Sequence, residues 1–306
     1  MSLLGLLIFS MAQIGYAGIL RRVGLNRYLV WITSFIIQTM ILYILAMLNF
    51  LTIGMRGVII FGAILFIIRL LIILRKKSKL SFEGLHYFDI WMVLMGIMLG
   101  RVIYRSPLIH YDNYSHWAVI VKYLFTQGHL PIAPDTIISF TSYPPAMALF
   151  ITQFVTWTGF SNGGMLLGQF IVIWAGLYAT FSVVRDRTRS TFTYIICLII
   201  ALLNIFNIAI RMDNLLVDFV LPVIAAAGFS AIYTYRDKRW LQLSLVFLFS
   251  SELFLIKNSG TMYIVMLALY LIYMIAHNTP GIWVKKWFFG IWQTTIAVGL
   301  SYLPFF

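Results

Sequence analysis

GVIIFGAILFIIRLLIILRKKSK, Gly57 to Lys79, holds eighteen residues that are apolar but for one arginine, followed by a cluster of four cations. A helical crossing of a bilayer needs roughly 20 mostly apolar residues to traverse about 30 Å of hydrocarbon. Backbone groups in lipid must bond within their own segment, so such a run reads as a helix. Working outward, similar runs occur at about 2–19, 28–50, 88–104, 164–184, 191–210, 215–235, 240–256, 260–276 and 287–306. The alternation of a membrane β-barrel is absent. The fold class expected is all-α: a polytopic helical membrane protein of about ten transmembrane helices. The first run lacks a basic flank and a small-residue cleavage site, so it is expected to be retained as a helix.

Composition agrees with this reading. Of 306 residues, 62% are hydrophobic and 10% charged, more apolar surface than a soluble core of this size hides. The single cysteine, Cys197, lies inside an apolar run and implies neither a disulfide nor a metal site. A net charge of +13 calls for no nucleic acid, because cytoplasmic loops and anionic membrane lipids account for it.

Loops rich in Lys and Arg stay in the cytoplasm. RRVGLNR (21–27), RKKSK (75–79), RDRTR (185–189), RDKR (236–239) and KK (285–286) hold most of the 22 cationic residues. These clusters alternate regularly if the apolar stretch 140–160 lies at the outer surface without crossing. The chain then divides into N-terminal spans (1–104), one long outer loop with interfacial helices (105–163), and a second set of spans (164–306). The short outer loops are LTIGMR, RMDN and KNSG. Asp112, Arg211, Asp213, Asp218 and Lys257 all fall at that extracytoplasmic face. Five of the nine acidic residues, with Asp135 and Glu252, lie on or near it.

The long loop opens with HYDNYSHWAVIVKYL (110–124), dense in polar groups. His116 is one helical turn beyond Asp112, a spacing that puts both on one helix face. The AVIVKYLF run reads as an amphipathic interfacial helix. FTSYPPAMALF (140–150) forces an extended backbone before its prolines and then starts a second apolar helix, expected to sit half-sunk in the outer leaflet. Acidic groups at membrane depth are costly and usually face a cavity or a partner. Asp218 is expected a few residues inside its helix, while Asp213 suits either a helix cap or a site. Glu252 and Lys257 suit a structural ion pair. Tyr111, Tyr114, Trp117 and Tyr143 suit sugar stacking or an interfacial aromatic belt.

The order of these motifs resembles the GT-C glycosyltransferases, in particular the bacterial aminoarabinose and mannosyl transferases that use polyprenyl-phosphate sugars. The resemblance runs over about 105–277: Asp112, Trp117, Gly128, Leu130 and Pro131 in a D....W......G.LP pattern, then Pro144 and Pro145, Asp218 and Lys257. It implies transfer of a sugar from a polyprenyl-phosphate donor to an envelope glycan, lipid or protein acceptor at the outer face. Asp112 would be the general base, with Asp218 as the competing candidate and His116 beside it. Arg211 and Lys257 would hold the donor phosphate, with Arg101 and Arg105 as further cations or lipid anchors. Asn113, Trp117, Tyr143 and Asp213 would bind substrate. Asn113 stands where the family commonly has a second acid, so no divalent metal or other cofactor is indicated. Four spans precede the loop where the family usually has one, and SYLPFF ends within an apolar run, so a continuation past Phe306 is expected. The competing class is a lipid-linked oligosaccharide flippase or a secondary transporter, which would place charges deep in several spans and show an internal repeat.

Overall fold

The computed structural model describes residues 1–75, 85–132, 137–138, 143–184, 190–206 and 212–303, with side chains of 204–206 excepted. Among these residues the only regular structure is helical. The elements are α1 (Leu3–Val23), α2 (Val30–Met47), α3 (Leu51–Arg75), α4 (Tyr87–Arg105), a π-turn (Asn113–Trp117), α5 (Ala118–Gln127), α6 (Ala146–Thr158), α7 (Asn162–Ala179) continued by a 3-10 turn (Thr180–Val183), α8 (Ser190–Phe206), α9 (Val220–Thr234), α10 (Arg239–Ile256), α11 (Gly260–Asn278) and α12 (Trp283–Leu300).

Each of the ten apolar runs contains one helix among the described residues. Seven are long and apolar enough to cross a membrane: α1, α2, α3, α4, α7 with its 3-10 extension, α10 and α11. Helices α8 and α9 are shorter apolar helices. Helix α12 carries Lys285 and Lys286 in its first turns and is not among the seven. Helix α3 begins at Leu51, so LTIGMR is its first turns and not a loop. The connection from α2 is only Leu48 to Phe50, and Asn49 turns it with a positive φ of 61°.

Helices α2, α6, α7, α9 and α10 form the interior. In α2 and α7, 67% of the apolar window is buried, against 17% in α3, which leaves most of its surface uncovered by protein. Helix α3 packs on α1 through small residues: a Cβ at Gly15 would come within 2.1 Å of Gly62 O. Close backbone approach of this kind replaces the hydrophobic driving force that lipid removes. Gln13 and Gln38 then tie α1 to α2, each side-chain amide donating to the other's carbonyl at 3.0 and 2.7 Å. Helix α1 is thus built into the bundle.

Helix α6 departs from expectation. All residues from Ala146 to Val155 are buried, against α1, α2, α5 and α7, so no face is left for the outer leaflet. Its thirteen residues span about 20 Å at 1.5 Å each, too little to cross a bilayer alone. Its C-terminal end is locked in place: Ser2 N donates to Thr158 O at 2.5 Å and Trp157 Nε1 to Met55 O at 3.1 Å. Helix α5 meets the amphipathic expectation, burying Ile120, Val121, Tyr123 and Leu124 on α6 while Lys122 is exposed. Gly128, in the left-handed region at φ 74°, ends it.

Candidate functional site

Residues 212–219 are the irregular segment that organises the site. Such backbone inside a membrane protein persists only where its polar groups are satisfied by protein. Asn113 and Gln169 supply this. The Asn113 side chain is fully buried and its Oδ1 accepts from Leu215 N at 3.0 Å. Gln169, on α7, donates to Asn214 O at 2.9 Å and to Leu216 O at 3.4 Å. Asn214 Oδ1 accepts from Leu216 N, closing a local turn. Gln169 is a lone amide in the run MLLGQFIVIW, and that isolation was the available signal for it. The Asn113 Nδ2 is buried without a partner among the described residues.

Asp218 sits in the turn before α9, not inside it: α9 begins at Val220 and its N-cap is Phe219, with no side-chain cap. Asp213 lies earlier still, in the turn at 212–213, so it does not cap α9. Lys257 Nζ donates to Asp218 Oδ1 at 2.8 Å, with both side chains partly exposed. Lys257 therefore pairs with Asp218 and not with Glu252, since α10 ends before Lys257 and carries Glu252 on its buried side. The Lys257 ammonium also lies 5.9 Å from the Tyr143 ring centroid, at the outer reach of a cation–π contact.

Tyr143 continues into an aromatic cluster. Trp117 stacks on it at 5.7 Å with planes 7° apart, and the His116 ring meets Trp117 and Tyr143 edge-on at 4.7 and 5.2 Å. His116 is buried, and loss of hydration lowers its pKa from the ordinary 6.5, which favours the neutral imidazole. The π-turn over Asn113–Trp117 is what brings Asn113, His116 and Trp117 inward together; such turns recur at functional sites.

Asp112 goes elsewhere. Its side chain is 49% exposed and lies 3.8 Å from His110 Nδ1, which also accepts from the Asp112 backbone N at 3.2 Å. The expected shared face of Asp112 and His116 is not formed, because the π-turn starts between them and sends one to solvent and the other into the core. His110 is the neighbour that sequence spacing underweighted. Tyr111 and Tyr114 are exposed, and Tyr114 Oη donates to Leu108 O. Arg101 and Arg105 are exposed at the end of α4, and Arg211 and Asp135 lie outside the described residues.

The structure thus joins Asn113, His116, Trp117, Tyr143, Lys257 and Asp218 from four distant stretches of chain, with Asp112 on the exposed side of the same turn. Among the described residues no three His, Cys, Asp or Glu side chains are grouped to hold a metal ion. Compared with protein-family models, curated proteins and solved structures, this chain has no match.

Proposed function

We propose that this protein is an integral membrane glycosyltransferase of GT-C type that moves a sugar from a polyprenyl-phosphate donor to a cell-envelope acceptor at the outer face. The observation that carries the reading is the Asp218–Lys257 pair beside the Tyr143–Trp117 stack. It sets a cation for a phosphate next to aromatic faces suited to a sugar ring.

In this reading about ten helices cross the membrane and residues 105–163 lie on the extracytoplasmic side. The donor phosphate draws on Lys257, and on Arg211, while the prenyl tail remains in lipid. Asp112 takes the proton from the acceptor hydroxyl as its oxygen attacks the anomeric carbon and the bond to the donor phosphate breaks. The departing phosphate carries its own charge, so cations serve it in place of a strong acid. Neutral His116 and Asn113 hold the Asp112 turn and the 212–219 segment in register, and Asp213 faces substrate from that segment.

The test is mass spectrometry of purified protein for a bound polyprenyl phosphate. Lys257→Gln is expected to lower its retention by roughly ten- to a hundredfold, from the 1.5–3 kcal/mol of a lost charged hydrogen bond. Equal retention in wild type and Lys257→Gln rejects this site.

A second reading, a lipid-linked oligosaccharide flippase or secondary transporter, is favoured by one observation. Glu252 is buried in α10 with Oε2 lacking a partner among the described residues. Both amide atoms of buried Gln153, on the neighbouring α6, lack partners as well. Ionisable groups at such depth are a common mark of ion pathways.

A further inference from the structure

At the opposite end of the bundle from Lys257, the first turns of α2, the N-terminal half of α4 and the stretch of α7 from Leu167 to Tyr178 surround a cavity of about 590 Å³. Its size lies within the roughly 300–1,000 Å³ of ligand pockets. Three features describe an amphiphile. The walls are apolar and aromatic, chiefly Trp31, Phe35, Met92, Phe170 and Trp174. One end is polar: Arg27 pairs with Asp89, whose other oxygen accepts from Tyr178 Oη at 2.7 Å. The side between these is open, since the lining residues Leu85, Val93 and Ile97 are 56%, 60% and 66% exposed on the surface that faces lipid.

We propose that this cavity holds one acyl chain of an anionic phospholipid from the adjoining leaflet, with its phosphate against Arg27. Depth sets the chain. From Asp89 to Ile97 the wall runs eight residues along α4, about 12 Å at 1.5 Å per residue. That is close to one leaflet of a hydrocarbon core about 30 Å thick. Charge sets the headgroup. Arg27 lines the cavity and is paired there with Asp89, while Arg21 and Arg22 stand in the last turn of α1, so cations outnumber the one lining carboxylate over segment 21–27. Anionic headgroups are drawn to such juxtamembrane cations. Gly96 keeps the slot open, because a Cβ there would meet Trp174 Nε1 at 2.5 Å, and Trp174 is held by its bond to Met92 O at 2.9 Å. The site stands independently of the glycosyltransferase reading, at different residues and the other helix ends.

The experiment is native mass spectrometry of the full chain released from bilayers of equal phosphatidylglycerol and phosphatidylcholine. Wild type should retain one phosphatidylglycerol with at least tenfold preference. Ala175→Phe, which fills the cavity, should lose it. Val93→Trp sits on the exposed lip and plugs the opening without touching the core, so it reports even if Ala175→Phe does not fold. Equal retention of the two lipids by wild type overturns the proposal, as does undiminished phosphatidylglycerol in Val93→Trp. A polyprenyl phosphate lost from Val93→Trp but kept in Lys257→Gln would also overturn it, by naming a different occupant.

Discussion

Lys257 Nζ lies 2.8 Å from Asp218 Oδ1, so the cation just past α10 is held by the carboxylate just before α9. Partly exposed ion pairs of this kind add only about 0–1 kcal/mol to stability. Their worth lies in placement. A phosphate that arrives can share Lys257 without a buried charge being left behind.

Asp112→Asn tests the base directly. A general base contributes roughly 10² to 10⁴ in rate, so transfer in reconstituted vesicles should fall by that factor while polyprenyl phosphate stays bound. Asp218→Asn frees Lys257 and is expected to disturb phosphate retention more than turnover. Near-normal transfer by Asp112→Asn removes it as base and shifts the role to Asp218.

Sidedness is checked by a single cysteine in a Cys197→Ala background. Ser161 caps α7 by accepting from Gly164 N at 3.0 Å, so exposed Asn162 is the better site. Asn162→Cys should react with an impermeant maleimide added outside intact cells. Labelling only after the membrane is opened reverses the orientation.

Asn113→Ala removes the acceptor for Leu215 N, a buried donor. The cost of leaving such a group unsatisfied is about 1–3 kcal/mol, so the thermal midpoint in detergent should drop by several degrees. Gln169→Leu, which frees the carbonyls of Asn214 and Leu216, should act in the same direction. An unchanged midpoint for both would mean the 212–219 segment is held by other contacts.

For His116 the folded-state pKa lies below the ordinary 6.5 because burial disfavours the imidazolium. Between the folded and unfolded values the unfolded chain binds more protons, so stability falls as pH drops below about 6.5 and is unaffected above it. Melting curves from pH 7.5 to 5 should show this loss, and His116→Gln should flatten it. A slope identical in the variant assigns the loss to another group.

Glu252→Met replaces a buried carboxyl, whose Oε2 has no partner among the described residues, with an apolar chain of similar length. Removing an uncompensated polar group from the interior should keep or raise the thermal midpoint. If transfer activity persists in this variant, the transport reading loses the ionisable residue that supports it. A marked loss of stability would show that the bundle itself needs the carboxyl.

Much of this protein follows from composition and period alone. The cost of bare backbone in hydrocarbon makes long apolar runs helices, and α1, α2, α4, α7, α10 and α11 appear within a few residues of their expected places, while α3 starts six residues early and takes in the expected loop LTIGMR. The residue types of the candidate site were also legible, because an Asp, a Lys or a Trp beside a helix end is conspicuous in so apolar a chain. What only the tertiary structure decided was who meets whom. Lys257 chose Asp218 over Glu252, since the chain breaks helix at both ends of that pair while α10 keeps Glu252 in its interior. The π-turn after Asp112 parted it from His116, although a regular helix would have aligned them. Helix α6 went to the core and not to the leaflet, for its apolar surface reads the same whether lipid or protein covers it. Hydrophobicity is indifferent to its partner, so it sets which segments leave water. Direction comes from specific hydrogen bonds between segments far apart in the chain, such as Asn113 to Leu215 and Gln169 to Asn214.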